Sequence, residues 1–259
     1  RLFRLDLEGM QQVAAVLQRH PRWGVGRDWV SIAQECRRVL LRELDFRLEA
    51  EHAARFRQQF LDDPGIRIPA VVWELTTRRV LCLDYVPGIK INDREALIEA
   101  GIDPAAVAEK GAASYLQQLV RFGFFHADPH PGNLLALADG RLAYLDFGMM
   151  STVSRESRTG LIQAVVHLVN RNFGKLSKDF VSLGFLAEDV NLEPIVPAFE
   201  KVFGQAIEQG VSRMDFKAVT DDLSGVMYRF PFQVPPYYAL IIRSLVTLEG
   251  IALSVDPDF

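Results

Sequence analysis

The chain has 259 residues, 49% apolar and 24% charged, with a net charge of −4. That is enough apolar sequence to bury a full core, in one large domain or two lobes, and it excludes a disordered or low-complexity protein. Residues 1–80 carry 14 Arg against 11 acids and the remainder 15 Lys plus Arg against 22 acids, too weak an imbalance for a nucleic-acid footprint, so no nucleic-acid partner is expected.

The first residues, Arg1, Arg4, Asp6 and Glu8, are charged and predict no signal peptide. Two cysteines far apart, Cys36 and Cys82, have no metal-ligand spacing and point to a reducing, cytoplasmic compartment. Apolar residues at helical spacing predict a helix over 2–20, ended by Pro21. The GVG at Gly24 to Gly26 follows no strand and reads as a connector rather than a phosphate loop. Asp28 is placed to cap one long second helix reaching about residue 60, closed by Asp62, Asp63, Pro64 and Gly65. Residues 66–86 predict two or three short strands around a turn at 76–79, with a further turn at Pro87 and Gly88. Asp103 and Pro104 supply the N-cap and first-turn proline of a helix to Phe122, and Gly123 its left-handed terminator. Ser154 can cap a helix through about Asn170, and further helices are predicted near 173–186, 193–209, 215–228 and 236–254. In the last, Ile241, Leu245, Leu248 and Ala252 recur at core spacing. The longest uncharged stretch there, 230–242, holds three prolines and is too short and too broken to span a bilayer. A nearly all-helical second half around one short hairpin, behind a few strands, predicts a small mixed lobe followed by a larger helical one.

The run HADPHPGNLLALADGRLAYLDFG, residues 126–148, carries the chemistry. Asp128, Asn133 five positions on, and Asp146 opening a DFG triplet match the order and spacing of the protein-kinase pair H-x-D-x4-N and D-F-G. There the first Asp orients or deprotonates the acceptor hydroxyl, while the Asn and second Asp hold Mg²⁺ against the phosphates of ATP. Mg²⁺ prefers hard oxygen ligands and keeps several waters, so one carboxylate and one amide oxygen are a reasonable protein share. The spacer predicts a hairpin turning at Asp139-Gly140, which would bring Asn133 and Asp146 side by side. His126 is expected to brace the loop through backbone hydrogen bonds. His130 can either touch a phosphate or metal-bound water, or brace the loop as well.

On these residues the chain resembles the UbiB/AarF family of atypical protein-kinase-like proteins. ELDFRLEAEHAARF (43–56) is similar to the family's E-x-D segment with the following E-A on an αC-like helix, VLCLDYVPG to its hinge, and HADPHPGN with LDFG to its catalytic motifs. The closing LVTLEGIALSVDPDF is also similar to a family segment. The resemblance implies an α+β, protein-kinase-like fold, with a partial N-lobe over 1–86 and a mostly helical C-lobe over 87–259. It implies ATP and Mg²⁺ as cofactors and Glu49 as the αC glutamate, with Glu43 and Asp45 as the E-x-D pair that faces a KxGQ extension in the family. Helix-surface ion pairing with neighbouring arginines is the alternative reading of all three. Leu83 falls at the gatekeeper position with Asp84 beside it, and Tyr85 and Val86 would offer hinge backbone to an adenine ring.

Several family features are missing. The first lysine is Lys90, so no strand lysine precedes Glu49, and no KxGQ, Ala-rich loop or Gly-rich loop does either. The chain does not begin with Met and stops inside a family-like segment, as a fragment would. No A-P-E follows DFG, so Ser151, Thr152 and Ser154 read as loop and cap residues rather than phosphosites.

The first functional expectation is an ATP-binding, Mg²⁺-dependent kinase-like or ATPase domain, itself weakly active or inactive in isolation. The resemblance implies a role in isoprenoid-quinone or other prenyl-lipid metabolism, with prenyl lipid, quinone-pathway proteins and a peripheral membrane surface as partners. A small-molecule phosphotransferase of the aminoglycoside or choline-kinase type shares the H-x-D-x4-N loop but continues differently from D-F-G. A non-catalytic, pseudokinase-like binding module is the reading from a different class.

Overall fold

The computed structural model describes residues 2–19, 28–208 and 232–255; the GVG connector and the helix expected over 215–228 lie outside the described residues. The chain divides into two compact units. The first is residues 1–58, 69–85 and 146–148, the second 59–68, 86–145 and 149–259.

The first unit contains α1 (Leu2–Arg19), α2 (Trp29–Glu43) and nearly all of α3 (Phe46–Gln59). α1 and α2 pack together, burying Leu7, Ala14 and Ala33, and the Gln18 side chain accepts from Trp29 N at 2.8 Å. Asp28 caps α2, accepting from Ser31 N at 3.0 Å. The single long helix expected from Asp28 to residue 60 is instead two, broken at Leu44 and Asp45. Asp45 explains the break. Its side chain accepts from Arg47 N at 3.2 Å and its carbonyl from Leu48 N at 3.0 Å, so it restarts the helix as a cap, while Phe46 N donates to Arg78 O at 3.3 Å. α3 then buries Ala50, Ala53 and Phe56 at spacing three, one stripe of its surface.

The strands expected over 66–86 shrink to one two-residue strand and a single bridge, Val71 to Leu83. Val72 N and Asp84 N each donate across at 2.9 Å, to Cys82 O and Ala70 O. The ladder stops there because Leu75 N and Thr76 N fold back onto Val72 O and Trp73 O, and Pro69 has no N–H to offer at the other end.

The second unit holds the remaining elements. In chain order they begin with β1 (Ile66–Arg67), β2 (Ile89–Lys90), α4 (Arg94–Glu99, capped by Asp93) and α5 (Pro104–Leu116). Then come β3 (Phe124–His126), β4 (Leu134–Ala136), β5 (Leu142–Tyr144) and β6 (Met150–Thr152). Four strands form one sheet in the order β1-β5-β4-β2, with β1 parallel to β5 and the others antiparallel; β3 and β6 form a second antiparallel pair that the sequence pattern does not announce. Asp103 caps α5 as expected, accepting from Ala105 N at 3.0 Å. The helix does not stay α to its end: 117–122 widen into a π-helical turn, closed by Gly123 N donating to Gln118 O at 2.8 Å. Gly123 has φ +68°, and a Cβ there would lie 2.8 Å from Val153 O. No other residue type fits without strain.

Four helices follow: α6 (Arg155–Val169, capped by Ser154), α7 (Phe173–Ser182), α8 (Ile195–Glu208) and α9 (Pro236–Val255). α7 stops short of the expected residue 186 because Gly184 turns left-handed at φ +79°. Phe180, Phe185, Phe199, Phe203 and Phe232 stack into one ring cluster between α7 and α8, with centroids 4.8–6.5 Å apart where they touch. α9 lies on α5 and buries Ile241, Leu248 and Ala252 at the expected spacing, with Leu245 half-buried. Unlike the broken stretch at 230–242, the span 237–255 within α9 is, by length and composition, apolar enough to cross a membrane, with a mean hydropathy of 1.6. Its window is 39% buried.

Candidate functional site

The expected hairpin is present in the second unit. β4 and β5 pair with Leu134 opposite Tyr144 and Ala136 opposite Leu142, and Gly140 at φ +79° turns the chain, its N–H donating to Leu137 O at 2.8 Å. Lys110 from α5 donates to the carbonyl of Gly140 and holds the tip. At the open end Leu145 N donates to Asn133 O at 3.0 Å, so Asn133 faces the residue immediately before Asp146. One face of the hairpin packs on Val86, which with Leu135, Leu137 and Ala143 makes a small apolar cluster. Val86 is thus buried, whereas Tyr85 is 89% exposed.

The loop between β3 and β4 carries Asp128 and is held from several sides. His126 is 2% exposed; its Nδ1 accepts from Asp128 N at 3.1 Å, which requires a ring with its lone pair on Nδ1. His126 N donates to Gln118 Oε1 at 2.9 Å. Gln118 sits in the π turn, fully buried, and its amide nitrogen donates to Tyr144 Oη at 3.2 Å, which also bonds Ser114 Oγ at 2.7 Å. Burial pushes the Tyr144 phenol up to about 12. A buried polar chain therefore runs from α5 through β5 to the Asp128 loop, every hydroxyl and amide in it partnered. His130 braces the loop too, accepting from Gly132 N at 3.1 Å.

α9 reaches the same loop. Ser244, fully buried, shares its one hydroxyl proton between Leu240 O at 2.9 Å and His126 O at 3.3 Å. Arg243 Nη2 donates to Ala127 O at 3.1 Å and lies 3.7 Å from Asp128 Oδ2 and 3.9 Å from Met149 Sδ. Arg243, Ser244 and Gln118 escaped the sequence reading. Arg243 left a trace, since it and Glu249 are the only charges in the twenty residues of α9; the other two left none.

In the first unit, Asp146 to Gly148 is gripped by α3. Phe147 N donates to Glu49 Oε1 at 3.4 Å, Phe147 O lies 3.0 Å from His52 Nδ1, and the Phe147 ring sits 5.7 Å from Phe56. The Asp146 carboxylate is oriented by Gly148 N at 2.9 Å. Glu49 thus falls beside the DFG backbone, and His52, which sequence reasoning passed over, is its companion one turn along. Asp45 pairs with Arg78 at 3.4 Å, and Glu43 is the last residue of α2. Asp84 accepts from Ala70 N at 3.3 Å, next to Leu83 in its bridge to Val71.

Among known proteins, the model of the ABC1 atypical kinase-like domain matches residues 1–180, and that of the UbiB helical domain matches residues 199–259. An uncharacterized protein of Synechocystis is 52% identical over 90% of this chain and 34% of its own length. The chloroplastic protein ACTIVITY OF BC1 COMPLEX KINASE 3 of Arabidopsis thaliana is 44% identical over 90% of this chain and 33% of its own. The chain spans about a third to under half of the length of the curated relatives it matches. A solved structure of Rv3197 with erythromycin, from Mycobacterium tuberculosis, superposes over 98% of this chain and 64% of that one, with a TM-score of 0.68 at 20% identity. That likeness is one of fold.

Proposed function

Since the chain belongs to the ABC1 atypical kinase-like family, we propose that it forms the ATP-binding, Mg²⁺-dependent part of an enzyme that moves the γ-phosphoryl group of ATP to a hydroxyl or to water. The observation that carries this reading is the hairpin register, which pins Asn133 opposite Leu145, the residue bonded to Asp146. An amide oxygen and a carboxylate so delivered are hard donors that suit Mg²⁺, and one Asp146 oxygen is already oriented by Gly148 N. Bound there, Mg²⁺ would neutralise charge on the β- and γ-phosphates. Asp128 orients the acceptor and takes its proton as the acceptor oxygen bonds phosphorus and the bond to ADP breaks. Glu49 and His52 hold the DFG backbone. Leu83, Asp84 and Val86 are assigned to the adenine end. The Arabidopsis relatives, named for bc1-complex activity, support a role in isoprenoid-quinone or prenyl-lipid metabolism at a membrane surface. The family match favours this over a phosphotransferase of the aminoglycoside type.

A second reading is a binding module that holds nucleotide without turning it over. Both readings are tested on the full-length protein. Mg·ATP at a hundred times its Kd should stabilise it by about 2.7 kcal/mol. Asp146→Asn and Asn133→Ala should each remove the Mg²⁺-dependent part of that gain and abolish ATP turnover. Stabilisation without turnover selects the binding module, and an absence of both refutes the two together.

A further inference from the structure

We propose that Arg243 of α9 is the positioning residue for Asp128, so that the helical domain completes the catalytic loop of the kinase-like domain. This deepens the function proposed above and rests on it. Arg243 and Glu249 are the only charged residues of α9. Here Nη2 grips the carbonyl of Ala127 at 3.1 Å and stands 3.7 Å from the Asp128 carboxylate, while the next residue, Ser244, holds the carbonyl of His126. Three consecutive loop residues are thus tied to two consecutive residues of α9. The matched ABC1 domain ends at residue 180 and the UbiB helical domain begins at 199, so this contact joins the two.

The chemistry follows from that placement. In this chain the residue before Asp128 is alanine, which cannot itself steer the carboxylate. Arg243 supplies a fixed positive charge on one side of Asp128, which biases the rotamer of the carboxylate. The same Nη2 holds the Ala127 carbonyl, and the rigid guanidinium plane fixes its direction, which a rotating lysine ammonium does with less geometric constraint. The side chains of Arg243 and Asp128 are 49% and 42% exposed, so the pair contributes little to stability and its effect is expected in geometry.

The test uses the full-length protein with Arg243→Met, Arg243→Lys, Asp128→Asn and the Arg243→Met/Asp128→Asn double variant. Amide exchange of the 126–133 peptide and steady-state Mg·ATP turnover are both read. Arg243→Met should speed exchange in 126–133 and lower kcat about tenfold or more while leaving the KM for ATP within about twofold. Adding it to Asp128→Asn should cost less than about twofold more, because both act through one carboxylate. Arg243→Lys should fall between wild type and Arg243→Met on each readout. It carries the test alone should Arg243→Met fail to fold. Wild-type exchange and kcat in the variants, or fully additive losses in the double variant, would overturn the proposal. If the wild-type protein turns over no ATP, the functional reading fails, and exchange in 126–133 still decides the role of Arg243.

Discussion

Gly123 shows how much one residue can be asked to do. Its φ of +68° closes the π turn, and its bare Cα lets the Val153 carbonyl pass where a Cβ would sit 2.8 Å away. Gly123→Ala is expected to cost about 2 kcal/mol or more, read as a lower urea midpoint at unchanged m-value. Gln118 is a second such residue. Replacing it by Leu leaves His126 N–H buried without an acceptor, which should cost about 1–3 kcal/mol and loosen the Asp128 loop, visible as faster exchange of His126 NH. The two residues differ in legibility. A glycine after a capped helix announces a left-handed turn from sequence alone. A glutamine in a helix announces nothing, since its role depends on a backbone widening that no local pattern encodes.

At the level of elements, the parts governed by short-range chemistry were legible: Asp103 and Ser154 as caps, Asp139-Gly140 as a hairpin turn, and the apolar stripe of α9. Where elements are fixed by distant partners, reading failed. The break at Asp45 depends on Arg78 O drawing Phe46 N away, and the β3–β6 pair joins segments separated by the whole catalytic hairpin. Glu49 and the DFG triplet stood out by motif, but the contact between them did not, because Glu49 and His52 reach the Phe147 backbone from about a hundred residues away. The phenylalanine cluster of α7 and α8 offers a test at this scale. Phe199 is fully buried, and Phe199→Ala should cost about 3–5 kcal/mol by calorimetry or chemical unfolding.

For the molecule as a whole, alkaline pH is the informative variable. Burial raises the phenols of Tyr144, Tyr115 and Tyr238 above their ordinary value near 10, that of Tyr144 to about 12. Unfolded tyrosines release their protons from pH 10 upward while these stay protonated in the folded protein. The contribution of Tyr144 is therefore complete below pH 10 and is lost as pH rises through about 12, while those of Tyr115 and Tyr238 are lost at higher pH still. Unfolding free energy measured across that window should fall, and Tyr144→Phe should flatten the fall. All three phenols belong to the second unit, so the loss should begin there and not in the helices of 1–58.

The π turn at 117–122 has a bearing on how this chain can change over generations. One residue inserted into an α-helix normally swings everything after it by about 100° around the axis, and a widened turn is how a helix absorbs such an insertion without that swing. Deleting one residue between Leu119 and Phe122 would repair the regular helix and improve its local hydrogen bonding. It would also shorten the lead into β3 by one residue and pull β3 out of step with β6. Lineages should therefore keep the length of this segment fixed even where its side chains drift, since the shorter chain makes the better helix and loses the loop that carries Asp128.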